Sequence, residues 1–492
     1  MLFTKKISGK IDRKGGVYVL DIIIHNATVI TMAGKGTGVR ENFAVGIKGD
    51  TISCVGDTHD VLKRFKAHRY INGSKKIVMP GLIDCHIHTS MALYRGVAQD
   101  TAAWLQRGIV PFAKHMSESD ATIGSLLNIV EGIKSGTTTF CDYDYPMDVI
   151  AENYKKVGVR ARLATLINEL PDNIDELELG ELYPFDPAKG EKRLKDNVRL
   201  LEEWNGKDNG RITCMLGPQG PDMLSKELLL EIKNLAEKYD VMLHMHVAQG
   251  DREINQMTKR YGKRSVEYLD ELNLLNRRLL AVHLTEATSE EAQLVAKRGV
   301  SMVYCAGSIG IIDGIVPPVA EFIAAGGIAG LGSDQAPGNN CNNMFNEMKF
   351  AAILNKVKFK DPTVFPAWKV LRMATIEAAE AIGLGKEIGS IEPGKKADII
   401  ILDLMNPNLC PFLSHPIRNI VPNLVYSARG HEVETVIVNG QVIMEDRKIL
   451  TVDEDEILLK ASEAAKNLAE RAAQSVKDSG TNTVSMMEEG YL

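Results

Sequence analysis

Val78-Met79-Pro80-Gly81-Leu82-Ile83-Asp84-Cys85-His86-Ile87-His88-Thr89 ends an apolar run in two histidines two residues apart. Side chains at i and i+2 of a strand project from one face. A strand over Leu82 to His88 therefore turns both imidazoles to the same side, where they can share one ion. Two ligands do not hold an ion firmly, so the reading turns on what later strands supply.

Outward from this stretch, from Pro80 to about Leu384, short apolar segments alternate with helical ones, the pattern of parallel β/α units. Eight segments read as strands: Leu82 to His88, Thr137 to Asp142, Arg160 to Leu166, Arg211 to Leu216, Val241 to His246, Leu279 to His283, Ser301 to Cys305 and Ile328 to Asp334. Eight such units in roughly 300 residues fit a (β/α)8 TIM-type barrel better than an open sheet. Active sites of that barrel lie at the C-terminal strand ends, and His86, His88, His246, His283 and Asp334 all fall there.

The flanks read differently. Val17 to Ile24, Ala27 to Met32, Phe43 to Ile47 and Thr51 to Val55 are short strands with turn residues such as Lys48-Gly49-Asp50 between them, an antiparallel layer. Gly389 to Asp403 and Val433 to Asn439 are strands again. Neither set can shield an apolar face alone, so the expectation is one small composite β-sandwich from residues 1–79 and 385–492 beside a barrel over 80–384. Asp453 and Glu456 read as a helix-capping pair, ahead of an apolar stripe through Ile457, Ala461, Leu468, Ala472 and Val476 that suits a docking helix.

With 492 residues, 45% hydrophobic, 25% charged and a net charge of -6, the chain can bury a large core and offers no basic surface for nucleic acid or an anionic membrane. The seven cysteines, Cys54, Cys85, Cys141, Cys214, Cys305, Cys341 and Cys410, are scattered and contain no Cys-x-x-Cys pair. That pattern indicates neither a disulfide framework nor a zinc knuckle and makes the cytoplasm the simplest expectation. Lys5, Lys6, Lys10, Arg13 and Lys14 make a basic start without the apolar region of a secretory signal, and no run reaches the ~18 apolar residues of a membrane span.

Imidazole nitrogen suits zinc, iron and other borderline divalent ions, and a carboxylate completes a site with one position open to water. His86, His88, His246 and Asp334 would make such a site, zinc being favoured over iron. His244 shares a strand face with His246 one layer deeper and reads as a buried hydrogen-bonding residue.

Taken together, several motifs in order give the chain a resemblance over about residues 20–445 to the amidohydrolase superfamily, in the branch of methylthioadenosine/adenosylhomocysteine deaminases, guanine deaminase and triazine hydrolases. They are Pro80 to His88, Leu93-Tyr94-Arg95-Gly96 with Trp104-Leu105, Glu131-Gly132-Ile133-Lys134-Ser135-Gly136-Thr137-Thr138-Thr139, His244-Met245-His246-Val247-Ala248, Val282-His283-Leu284-Thr285, Gly332-Ser333-Asp334 and Gly389 to Asp403. The resemblance implies that His86, His88, His246 and Asp334 bind one divalent metal whose bound hydroxide is the nucleophile. It makes His283 and Asp334 the catalytic groups, Asp334 carrying the proton to the leaving group. Gln249, Gln219, Trp104 and Arg95 fall at substrate-contacting positions, the partner is a small molecule, and relatives often form homo-oligomers.

Three positions depart from the relatives. Gln249 stands where purine deaminases carry a glutamate that protonates a ring nitrogen, and an amide cannot shuttle a proton. Gln219 replaces a histidine common there, and Ala113 replaces a glutamate that grips ribose hydroxyls. These changes argue against methylthioadenosine and adenosylhomocysteine as substrates. Asp251 and Glu253 are nearby carboxylates, although Gln249-Gly250-Asp251-Arg252-Glu253 reads more simply as a solvated loop entering a helix. The expected reaction is hydrolytic removal of an amino or other leaving group, releasing ammonia or an amine, from an electron-poor nitrogen heterocycle or amidine-like carbon. Dehalogenation of a triazine-like ring and hydrolysis of a cyclic amide are the alternatives from the same machinery, and a non-catalytic scaffold is the alternative outside it.

Overall fold

The computed structural model describes residues 19–492. The basic start from Lys5 to Lys14 and the first two residues of the expected opening strand, Val17 and Tyr18, lie outside the described residues.

The chain enters through β1 (Val19–Ile30), β2 (Val39–Lys48) and β3 (Thr51–Asp57), antiparallel in sequence order. The two opening strands expected from the sequence are one long strand. Its ladder shifts register between Ile24 and Ala27, where Asn26 takes a φ of 59°, a conformation asparagine tolerates better than most residues. A seven-residue helix, Thr58–Arg64, then carries the chain back so that β4 (Lys66–Asn72) and β5 (Lys76–Pro80) both run parallel to β1. The layer is thus mixed, not purely antiparallel. The cause is this helix, whose N-cap Asp57 accepts from the His59 amide at 2.9 Å.

Next come eight parallel barrel segments. They are β6 (Leu82–His88), β7 (Thr137–Asp144), β8 (Arg160–Ile167), the pair β9 (Ile212–Cys214) and β10 (Gly217–Pro218), β11 (Leu243–Val247), β12 (Leu279–His283), β13 (Ser301–Tyr304), and the pair β14 (Ile328–Leu331) and β15 (Asp334–Gln335). Each is hydrogen-bonded to the next in parallel register, a Leu216–Leu243 bridge joins the fourth to the fifth, and β15 returns to pair with β6. That ring is the (β/α)8 barrel. Its strands are buried on both faces, as helices outside and side chains inside require.

The eighth segment breaks at Gly332-Ser333 for a packing reason. A Cβ on Gly332 would sit 2.8 Å from Val303 Cγ1 and 3.0 Å from His86 Cβ. The adjacent Ser333 amide is drawn off the ladder to Asp84 Oδ1 at 2.9 Å. Only a bare backbone passes this close to the histidine strand.

After the barrel, β16 (Ile399–Asp403), β17 (Val433–Val438), β18 (Gln441–Glu445) and β19 (Lys448–Ile449) continue the first sheet. Only the last five residues of the expected Gly389 to Asp403 strand extend. β16 inserts between β5 and β17, giving one nine-stranded sheet in the order β19-β18-β17-β16-β5-β1-β2-β3 with β4 on β1. The expected sandwich is thus one continuous sheet, and a single buried cluster containing Ile24, Val29, Val45, Ile47, Ile399 and Ile437 gives its N- and C-terminal strands a shared core.

The long helix Glu454–Asp478 is capped by Asp453, which accepts from the Glu456 amide at 3.0 Å. Ile457, Ala461, Leu468 and Ala472 are buried, and Val476 is half-buried. Ala461 and Leu468 pack with Leu93, Tyr94 and Ile109 of the loop after β6, so the helix docks on the barrel. Among the described residues no helix is long and apolar enough to cross a membrane.

Candidate metal centre

Alternation along β6 sends Asp84, His86 and His88 to the barrel interior. β11 presents His244 and His246, β12 ends at His283, and β15 begins at Asp334. One donor atom from each of His86, His88, His246 and Asp334 lies within 4.8 Å of the others, and all four residues are buried. His86 Nε2 is 3.2 Å from His246 Nε2 and 3.3 Å from Asp334 Oδ1, while His88 Nε2 is 3.5 Å from that same oxygen.

The proton positions follow from the partners. His246 Nδ1 lies 2.8 Å from the Gln219 carbonyl, which only accepts, so Nδ1 carries the proton and Nε2 offers a lone pair to the centre. His86 Nδ1 lies 2.9 Å from His244 Nε2. With Nε2 of His86 turned to the ligand cluster, its Nδ1–H donates outward to His244. Burial and the neighbouring imidazoles hold His86 and His246 well below the usual histidine range, and burial pushes His244 down to about 3. These imidazoles are neutral, the form in which histidine binds metal.

Asp334 is held from behind. The Ser308 hydroxyl donates to its Oδ2, and Asn342 Nδ2 donates to its backbone carbonyl at 2.9 Å. Burial raises its carboxyl, but the imidazoles of His283 and His88 and the Ser308 hydroxyl outweigh that and keep it below the ordinary value. His283 Nε2 is 4.0 Å from Asp334 Oδ2, and neither His283 ring nitrogen has a hydrogen-bond partner. Both residues hold a positive φ, 77° at His283 and 61° at Asp334. Left-handed backbone at non-glycine residues stores strain, and it concentrates at functional sites.

Three imidazoles and one carboxylate, facing one another at these separations, form a donor set that fits a divalent ion with mixed nitrogen and oxygen preference. The unpartnered His283 ring lies beside this cluster, its centroid 5.2 Å from that of His246 and 5.5 Å from that of His86.

The remaining sequence candidates separate. Gln249 and Trp104 line a cavity of about 580 Å³ over the loops that follow His246 and His283. Gln219 contributes its backbone, and its side chain is taken by Asn168 Nδ2 at 2.6 Å. Arg95 turns to Glu131 at 2.6 Å and to the Asn340 carbonyl and is not among the residues lining this cavity. Ala113 packs in the cluster of Phe112 and the C-terminal helix. Of the two acids after Gln249, Asp251 lines the cavity, whereas Glu253 is buried and accepts from the Ala248 and Gln249 amides at 2.7 and 2.8 Å.

Sequence reasoning passed over the residues behind the ligands. Asp84 had a signal, since it shares the face of His86 in the opening motif. Ser308 and Asp313 had none, because their partners, Asp334 and Trp104, lie far away in the chain and are brought to them only by the fold.

Known proteins resemble the chain in sequence and in fold. The amidohydrolase family model matches residues 77–443. The 5-methylthioadenosine/S-adenosylhomocysteine deaminase of Thermoanaerobacter pseudethanolicus is 35% identical over 454 residues, 92% of this chain and 100% of the relative. The 5'-deoxyadenosine deaminase of Methanosarcina acetivorans is 36% identical over 454 residues, 92% and 99%. Among solved structures, an adenosine deaminase from Xanthomonas campestris with bound zinc superposes with a TM-score of 0.84 at 29% identity, covering 92% of this chain and 99% of the other. An atrazine chlorohydrolase from Arthrobacter aurescens TC1 complexed with zinc gives 0.80 at 22%, covering 90% and 100%, a likeness of fold. With a barrel, a buried ligand cluster of three histidines and an aspartate for a divalent metal, and relatives spanned end to end, the chain belongs to the amidohydrolase family and is a hydrolase of carbon–nitrogen bonds.

Proposed function

We propose that the chain is a zinc-dependent aminohydrolase that replaces the exocyclic amino group of an electron-poor nitrogen heterocycle by oxygen, releasing ammonia and acting on a small molecule. The observation that carries this reading is the convergence of His86, His88, His246 and Asp334 beside an unpartnered His283 at the barrel mouth. The deaminase names of its relatives and the zinc in two fold neighbours support the leaving group and the metal.

His86, His88, His246 and Asp334 would hold a divalent ion, which would supply hydroxide near neutrality by lowering the pKa of a water molecule to about 7. The rest falls to the protein. Asp334 Oδ2, on the His283 side, receives the water's proton and passes it to the departing nitrogen. His283 donates a hydrogen bond to the oxygen as charge develops on the attacked carbon. Ser308 orients the carboxylate, the Gln219 carbonyl fixes the His246 ring, and Trp104 and Gln249 enclose the heterocycle. The two protons of water end on ammonia and on the ring nitrogen of the product.

Gln249 and the packed position of Ala113 support a substrate other than the nucleosides of the relatives' names. The test is a zinc-reconstituted screen of aminopurines, pteridines, triazines, cytosine analogues and cyclic ureas, with ammonia and chloride both followed. Ammonia from an amino-heterocycle is the expected result. Chloride alone, or a ring-opened acid alone, overturns the reading.

A further inference from the structure

The 580 Å³ cavity above the barrel mouth has three carboxylates in its wall, Asp251, Glu286 and Asp313. The guanidinium of Arg252, also in the wall, is taken by Asp222. Asp251 lies in the first turn of the helix Gly250–Tyr261 that follows β11, and Glu286 lies in the loop that follows β12. Asp313 has a different setting.

Asp313 terminates the short helix Ala306–Ile312 after β13. Its Oδ1 accepts from Trp104 Nε1 at 3.2 Å, which fixes the plane of the carboxylate. Its Oδ2 is out of solvent and has no hydrogen-bond partner. A Cβ built on Gly250 would come 3.8 Å from Oδ1, so the carboxylate lies against the backbone immediately after Gln249. The Gln249 amide cannot ionise, and Asp313 therefore supplies the charge at this point of the wall.

A buried carboxylate oxygen without a donor is costly, and a ligand N–H removes that cost. A carboxylate has about four lone-pair sites. With one taken by Trp104, it retains enough to receive the two parallel N–H groups of an amidine edge, as carboxylates receive guanidinium. Burial pushes the Asp313 carboxyl up to about 6, with the charges of Asp334, Glu286 and Asp251 adding to it and the Trp104 bond opposing. A cation or an N–H-rich ring relieves both effects, and an anion aggravates them.

We propose that Asp313 is the specificity-determining residue of this cavity, its free Oδ2 receiving an N–H of a flat amino-substituted heterocycle, and that the acidic wall admits neutral or cationic rings in preference to anionic ones. The proposal rests on the aminohydrolase reading for its substrate class, but its test is a binding measurement that does not depend on turnover. The zinc-loaded full chain is titrated by calorimetry with 2-aminobenzimidazole, whose edge presents an amino group and a ring N–H, with 1-methylbenzimidazole, which has neither, and with benzoate as the anion. Zinc content is measured on every preparation.

Wild type is expected to bind 2-aminobenzimidazole about ten-fold or more tightly than the other two, the loss expected for one charge-assisted hydrogen bond. Asp313→Asn is expected to lose that advantage while its zinc content and its affinity for 1-methylbenzimidazole stay at the wild-type level. Equal binding of 2-aminobenzimidazole by wild type and Asp313→Asn overturns the proposal. If the variant does not fold, the wild-type comparison decides alone, and the absence of any preference among the three probes overturns it. A persistent preference in a wild type that releases ammonia from no amino-heterocycle refutes the aminohydrolase reading and leaves the role of Asp313 intact.

Discussion

The imidazoles of His86 and His244 are bonded to each other, Nδ1 to Nε2 at 2.9 Å, with both rings fully buried. His244 thus fixes the ring angle and tautomer of a ligand without reaching the centre itself, and Tyr143 stacks against it at a centroid distance of 4.9 Å. His244→Phe keeps the ring volume and removes the acceptor. It is expected to weaken metal binding about 10- to 100-fold, the usual effect of losing a partner behind a ligand. His246→Ala, which removes a ligand outright, is expected to abolish retention through gel filtration. Competition titrations against a chelator check both, and a His246→Ala protein that stays metal-replete and active overturns the site assignment.

Gln249 tests the cavity wall. Gln249→Glu places an ionisable group beside the bound ring and is expected to raise kcat/KM for aminopurine deamination, by up to the 10²- to 10⁴-fold range of a general acid. No gain in ammonia release, or efficient aminopurine turnover by wild type, contradicts the reading of this position.

The pair of Arg160 and Asp398 tests the attachment of the sheet to the barrel. Arg160 Nε is 2.6 Å and Nη2 3.1 Å from the Asp398 carboxylate, with both residues buried. Removing one member of a buried pair leaves an uncompensated charge and costs about 3–5 kcal/mol. Arg160→Met is expected to lower the denaturant midpoint accordingly, and Arg160→Met combined with Asp398→Leu to recover much of the loss.

Glu347 sets a pH dependence. It is fully buried, accepting from the Asn339 amide at 2.9 Å and the Gly307 backbone at 3.0 Å. Burial pushes its carboxyl up to about 8, with the charges of Asp84 and Asp334 adding to the rise. A group whose folded pKa is raised binds its proton more tightly in the native state. Its contribution is therefore full below the unfolded value of ~4.3 and is lost as pH rises toward 8. Wild type is expected to lose stability from pH 5 to 8, and Glu347→Gln to lose less over the same interval, as read by denaturant melts at three pH values.

The barrel was legible because each of its strands is a compact apolar run, and the ligands because they sit at the ends of those runs. His86 and His88 give their geometry away by a spacing of two. The helix Thr58–Arg64 was missed because its one strong signal, the Asp57 cap, is buried among turn residues, and without it the direction of β4 and β5 cannot be read. Arg95 shows the other limit. Its position in a motif is visible in the chain, but the choice between substrate and Glu131 depends on a residue 36 positions away. Asp313 was invisible for the same reason, since only the fold sets it against Trp104 and Gly250.

The order of the strands carries a consequence for how the molecule is made. The last ligand, Asp334, leaves the ribosome well before β16, yet β16 pairs with β5, which leads directly into the strand of His86 and His88. A growing chain thus holds its whole set of ligands while the strand that braces the first two is still unsynthesised. Arg160 waits in the same interval for its counter-charge. The strand that pairs with β5, at the entry to the His86 and His88 strand, is therefore made about 65 residues after the last of the four clustered donors.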